Sequence, residues 1–213
     1  RLARHWTRCL ANSARNRVAA GHAKAYLWGM EHAHHHLFET AIGLCGVAWN
    51  ERGLCAVSLP EKDAATTERR LMKKGGSSGP AEPPAAIQGV IADIRNYLDG
   101  QKVDFSAVPV DLSGIDDLRR RIYEALRGIE FGRTITYGEL ARAIGAADWE
   151  GARDVGTAMG SNRMPIVIPC HRVLAAGGKL GGFSAYGGTK TKQKLLALEG
   201  VRFDGEAPRL PGL

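Results

Sequence analysis

Apolar positions along the chain come in two textures. Between 37 and 59 they form short dense runs, Phe38 to Trp49 and then Leu54 to Leu59, divided by the polar, glycine-ended Asn50-Glu51-Arg52-Gly53. Two such runs around a turn predict a β-hairpin. Further on, Ile87, Ile91, Ile94 and Leu98 recur at intervals of three and four. That spacing lines up one face of a helix over 85–99, with Gly100 as its stop. A charged stretch from 61 to 74 predicts a helix, and Gly75-Gly76-Ser77-Ser78-Gly79-Pro80 with Pro83-Pro84 predicts an exposed loop after it. Val103 to Leu112 reads as a further strand, which completes a small α/β domain over 37–115.

From Asp116 onward the texture is helical. Leu118, Ile122, Leu126 and Ile129 share one helix face. Thr136 with Glu139 three residues later is a capping-box pattern opening a short helix that Gly145 ends. Glu150 to Gly160 predicts a second short helix, so the pair has the outline of a helix-turn-helix. On pattern alone that outline is weak. Met164 to Val173 predicts a buried extended segment, Ala176-Gly177-Gly178-Lys179 a hairpin turn, and Lys190 to Leu198 a last helix ending at Gly200. These elements make a second domain over 116–202, with 203–213 as a tail.

Composition narrows the class. The 213 residues carry a net charge of +7, ordinary hydrophobic content, and no apolar run of membrane-spanning length. Six basic residues against one acid lie in 1–36, which leaves 23 against 21 for the rest. Within 131–200 the balance is nine basic to five acidic, which permits nucleic-acid binding without requiring it. Cys9, Cys45, Cys55 and Cys170 form no C-x-x-C pair, which argues against a zinc ribbon or a disulfide framework. The expected compartment is reducing, hence cytoplasmic. Residues 1–36 read as a disordered or spurious leader, with Met30 as a candidate start and a basic targeting arm as the alternative. His32, His34, His35 and His36 read as a disordered His-rich start rather than a metal site.

The chemistry concentrates in Pro169-Cys170-His171-Arg172-Val173. A thiol beside an imidazole suggests a nucleophile with a base, since only a few per cent of an ordinary thiol, pKa about 8.5, is ionised at neutral pH. Cys170 alone fits a buried core cysteine more readily, and His171 alone a structural histidine.

That pentapeptide, however, resembles the active-site signature of the O6-alkylguanine-DNA alkyltransferases (methylated-DNA–protein-cysteine methyltransferases). The resemblance runs over about 118–200, through Phe131-Gly132, Thr136-Tyr137-Gly138-Glu139-Leu140-Ala141, Ala152-Arg153, Val155-Gly156, Asn162, Pro165 and Lys194 to Gly200. It implies a ribonuclease-H-like α/β domain followed by a winged-helix-like helix-turn-helix domain that carries the reactive cysteine. It also implies direct, single-turnover transfer of an alkyl group to Cys170 from O6-alkylguanine in double-stranded DNA, with O4-alkylthymine as a further candidate lesion. No cofactor, metal or membrane partner is implied, and the expected state is a monomer.

Carried over position by position, the resemblance makes Cys170 the nucleophile, His171 a base acting through a water, Glu199 its orienter, and Asn162 a brace for the active-site turn. Tyr137 would press on the phosphate of the target nucleotide and bond the flipped base, and Arg153 would fill the vacated space. Ala152 and Gly156 would allow close approach to the minor groove, Pro165 belongs to the matched turn, and Phe183 and Ser184 would close over the guanine. Four departures stand out: Phe183 where some members have Tyr, a longer loop at Ala185-Tyr186-Gly187-Gly188, Asp154 in place of an apolar residue, and Arg163 in place of a frequent Pro. Two rival readings are a DNA-binding module without chemistry and a multiple-turnover thiol hydrolase.

Overall fold

The computed structural model describes residues 33–146 and 149–202. The expectations for residues 1–32 and 203–213 therefore lie outside the described residues.

The N-terminal sheet is built from β1 (Ala33–Thr40), β2 (Gly43–Asn50), β3 (Gly53–Ser58) and β4 (Ser77–Pro80), in the order β3-β2-β1-β4. The first three strands form an antiparallel meander. The expected single hairpin over 37–59 is thus three strands, because Gly43, at φ 115°, turns the chain inside the run from Phe38 to Trp49. The strand also starts at Ala33, so 33–36 are not part of a disordered leader. Alternation along the strand explains the change. His35 is buried, its Nδ1 2.7 Å from Ser77 Oγ and its Nε2 3.0 Å from Glu68 Oε1, while His34 packs on Trp49 from the opposite face.

Helix α1 (Ala64–Gly75) is capped by Asp63, whose side chain accepts from Thr66 N. Its Leu71 packs with Ala33, Ala48, Cys55 and Ala56 on one sheet face. Helix α2 (Ala85–Leu98) meets the other face, with the Arg95 guanidinium over the Phe38 ring. The loop expected at 75–80 contains β4, which pairs parallel to β1. The strand expected over 103–112 is only a single bridge between Leu54 and Val110. Pro109 lacks the N–H that a ladder would need. Arg127 secures this connector by donating to the Phe105, Ser106 and Val108 carbonyls.

The C-terminal region opens with α3 (Asp117–Arg127), capped by Asp116 and burying Ile122, Tyr123 and Leu126. The short strand β5 (Ile135–Thr136) leads into α4 (Tyr137–Ala143), where the capping box of Thr136 and Glu139 is present in both directions. Helix α5 (Trp149–Gly160) packs against α4, and Tyr123 Oη ties α3 to it by donating to Ala158 O at 2.9 Å. Strand β6 (Val173–Leu174) pairs parallel with β5, and α6 (Thr189–Leu198) is the last helix among the described residues. The segment from Met164 to Val173 is buried as expected but is not extended. Ile168 N bonds back to Met164 O, and Cys170–Arg172 form a 3-10 turn. The glycine-rich stretch after β6 is likewise a 3-10 turn, Ala176–Gly178, with no strand returning from it to make a hairpin. No helix among the described residues is long and apolar enough to cross a membrane.

Candidate active site

The turn that presents Cys170 is held from within. Asn162, 2% exposed, donates from Nδ2 to Ile168 O (2.8 Å) and to Cys170 Sγ (3.1 Å), and its Oδ1 accepts from Met164 N (2.9 Å). One side chain thereby closes the loop between α5 and the thiol. Ile166 sits in this loop at φ 73°, the one non-glycine residue with positive φ among the described residues. Such a conformation costs a β-branched residue about 1–3 kcal/mol, so the surrounding bonds must enforce it. From the N-terminal domain, Val57 N of β3 donates to Arg163 O, and Lys74 Nζ of α1 lies 3.5 Å from Asn162 O.

Cys170 lines a cavity of about 230 Å³ with Tyr137, Gly156, Met159, Gly160, Gly182, Phe183 and Ser184. Burial pushes the thiol up from its ordinary pKa. The Asn162 hydrogen bond and the ammonium groups of Lys192 and Lys74 oppose that shift without reversing it. At rest the sulfur is therefore a protonated thiol, and ionisation needs a base.

Behind the thiol lies a buried charged cluster. His171 Nε2 is 2.7 Å from Glu199 Oε1, and Arg172 donates to the same carboxylate from Nε and Nη2. Gly132 N donates to Glu199 Oε2 at 2.9 Å. Gly132 has φ 75°, and a Cβ there would lie 2.9 Å from Glu199 O, so the position requires glycine. Burial opposes the charge on Glu199, but the hydrogen bonds and charges of His171 and Arg172 outweigh it and hold the carboxyl at about 2. Burial lowers the His171 pKa, and the carboxylate beside it compensates only in part. His171 is consequently neutral near pH 7. With Nε2 donating to the carboxylate, the buried Nδ1 carries the free lone pair and has no protein partner.

The loop over the cavity is fastened by three of its carbonyls. Lys192 Nζ reaches Gly182 O (3.4 Å), Arg70 Nη2 donates to Ser184 O (2.6 Å), and Thr191 Oγ1 donates to Tyr186 O (2.6 Å). Glu61 buttresses Arg70 at 2.6 Å.

Two family models match the chain. One, described as 6-O-methylguanine DNA methyltransferase, ribonuclease-like domain, covers 33–112, and the other, its DNA binding domain, covers 117–201. The methylated-DNA–protein-cysteine methyltransferase of Methanothermobacter thermautotrophicus is 36% identical over 161 residues, 76% of this chain and 82% of that protein. This chain belongs to the 6-O-methylguanine DNA methyltransferase family. The crystal structure of Mycobacterium tuberculosis OGT in complex with DNA matches with TM-score 0.63 and 34% identity, over 78% of this chain and 92% of that one. A Thermus thermophilus protein named DNA base-flipping protein is 36% identical over 133 residues, 62% of this chain and 86% of that protein. The fold is accordingly the ribonuclease-like α/β domain followed by the helical DNA-binding domain of this methyltransferase family.

Of the residues singled out from the sequence, Tyr137, Gly156, Cys170, Phe183 and Ser184 converge on one cavity. His171, Glu199 and Asn162 lie buried behind it, and Pro165 is buried in the turn. Arg153 is exposed and Ala152 half-buried, one turn ahead of Gly156 on α5, so neither lines the cavity. Asp154 is exposed beside Arg153. The sequence reading assigned no role to Tyr97, Arg172, Lys74 or Lys192. Lys192 had a signal: with Leu195, Leu196 and Glu199 it falls on the buried stripe of α6, an unusual place for an ammonium group. Burial lowers its pKa to about 8.

Proposed function

We propose that this protein repairs alkylated DNA by moving a methyl or other alkyl group from O6-alkylguanine to Cys170. The observation that carries the reading is a thiol on the wall of a base-sized cavity beside α5, backed by a neutral histidine with a free lone pair. In the reaction the Cys170 proton passes through a water to His171 Nδ1, and Glu199 stabilises the resulting imidazolium. The thiolate attacks the alkyl carbon in line. The S–C bond forms as the O6–C bond breaks, and the electron pair goes to the purine, which takes up the one proton that the His171 imidazolium gives back through water. The Tyr137 hydroxyl, whose pKa burial raises, stays protonated and donates to the extruded base. The nearby charge of Lys192 favours the thiolate.

Arg153 and Ala152 fit a role outside the pocket, on the DNA-facing side of α5, where the arginine fills the space that the flipped nucleotide leaves. Phe183 supplies stacking from the loop, and Ser184 lies near O6. O4-alkylthymine is a second substrate of the same chemistry. The chain acts as a monomer in the cytoplasm, and its described cysteines, Cys45, Cys55 and Cys170, are all free thiols. Because a thioether does not return to thiol, each molecule acts once, with no cofactor.

Incubation with O6-methylguanine DNA should add one methyl mass to the chain, on Cys170, and Cys170→Ser should abolish the gain. Transfer by that variant would overturn the assignment. The similarity to a protein named for base flipping keeps one rival in view, lesion binding without chemistry. Tight binding of the same DNA with no mass gain by the unaltered chain would establish it.

A further inference from the structure

We propose that Tyr97, from helix α2 of the ribonuclease-like domain, is a positioning residue for alkyl transfer, its hydroxyl setting the tautomer and orientation of His171. The inference rests on the proposed transfer to Cys170. Tyr97 is fully buried, and its Oη lies 2.7 Å from Glu199 Oε1 and 3.0 Å from His171 Nε2. With His171 Nε2 itself 2.7 Å from Oε1, the three atoms close a triangle. The hydroxyl donates to the carboxylate, and its oxygen shares the one imidazole Nε2–H with Glu199 Oε1. It thus braces the ring from a direction that neither Glu199 nor Arg172 covers, and it favours the tautomer that leaves Nδ1 free.

The phenol ring is itself fixed by edge-on contacts with Phe105 and Phe131. Burial and the Glu199 charge keep its proton in place across the working pH range. The groups facing His171 are Glu199, Tyr97, Arg172, Lys192 and Cys170. Removing the hydroxyl takes one donor from the carboxylate. Its pull on the imidazole then strengthens, which raises the His171 pKa. Every site residue assigned from the sequence lies in the C-terminal domain, yet one brace of the base comes from the other domain.

The test uses the full chain and O6-methylguanine oligonucleotide in single-turnover transfer across the acid limb of the pH profile. The unaltered chain, Tyr97→Phe and, as a core control at the far end of α2, Ile87→Val are compared, with lesion-DNA affinity and Tm measured for each. Tyr97→Phe should slow transfer roughly tenfold, a fraction of the 10²–10⁴ that a positioned acid–base group contributes. Its acid limb should move to higher pH while DNA affinity holds. Ile87→Val should lower Tm and leave the limb in place. An unmoved limb in Tyr97→Phe, or an equal shift in Ile87→Val, overturns the inference. Failure of the unaltered chain to transfer at all overturns the proposed function itself. Nitrogen NMR of His171 in the unaltered chain gives an independent check: a proton on Nδ1 rather than Nε2 overturns the positioning role.

Discussion

Glu199 and Asp111 each gather an arginine and further donors around one carboxylate, in opposite halves of the molecule. Asp111 accepts from Asn50 Nδ2 (2.6 Å), Arg52 Nη2 (3.1 Å) and Ser113 N (2.9 Å), pinning the β2–β3 turn to the connector after α2. Burial works against its charge, but these bonds outweigh burial and hold its carboxyl well below the usual range. The difference is in exposure and in what lies next. The Arg52 side chain is 48% exposed, whereas those of Arg172 and Glu199 are 7% and 0% exposed. The Asp111 cluster joins two pieces of backbone. The Glu199 cluster adds an imidazole whose remaining nitrogen is unpaired in the protein. The same electrostatic arrangement is a staple in one place and the support of a base in the other.

The largest contrast should come from Glu199→Gln. It leaves the Arg172 guanidinium buried without its counter-charge, a loss of about 3–5 kcal/mol in chemical denaturation. Single-turnover transfer should slow roughly a hundredfold with the loss of the oriented base. Full activity in this variant would remove Glu199 from the chemistry and reduce it to a second staple.

Acid should separate the clusters next. Folded His171 has a lowered pKa, so below about pH 6.5 the unfolded chain binds the proton more readily and stability starts to fall. Glu199, at about 2, and Asp111 are both depressed. Their contributions are present above the ordinary carboxylate range and are lost as pH falls from about 4.5 toward 2. Asp111→Asn should shrink the second phase and spare the first, as followed by Tm against pH. A variant that lost the first phase would link the two clusters.

The smallest effect should be that of Asp111→Asn at neutral pH. Its arginine is half-exposed, so the cost should be on the order of 1 kcal/mol in denaturation, with the transfer rate unchanged. A rate loss comparable with that of Glu199→Gln would end the distinction between the two carboxylates.

Local order was the most legible part of the fold. The faces of α2 and α3 follow from their apolar spacing, and the start of α4 follows from the Thr136–Glu139 capping box. Elements whose pairing is non-local were less legible. Strand β4 lies in a stretch of Ser, Gly and Pro and is a strand only because β1 offers it an edge. The segment over 103–112 has strand composition, but Pro109 and the Asp111 bonds keep it from forming a ladder. His35 looked disordered by composition and is buried because Ser77 and Glu68, far away in sequence, satisfy both ring nitrogens.

The site divides in the same way. The order of residues in Pro169-Cys170-His171-Arg172-Val173 determines that a thiol and an imidazole emerge from one tight turn, since adjacent residues in a chain cannot be far apart. Only the tertiary structure decided what surrounds them: Lys74 and Arg70 from α1, Tyr97 from α2, and Glu199 beyond α6. A phenol on an apolar helix face reads as core packing until its hydroxyl is seen against a carboxylate 102 residues away. Hydrogen bonds and desolvation act through space over a few ångströms, and linear spacing along the chain does not encode that proximity.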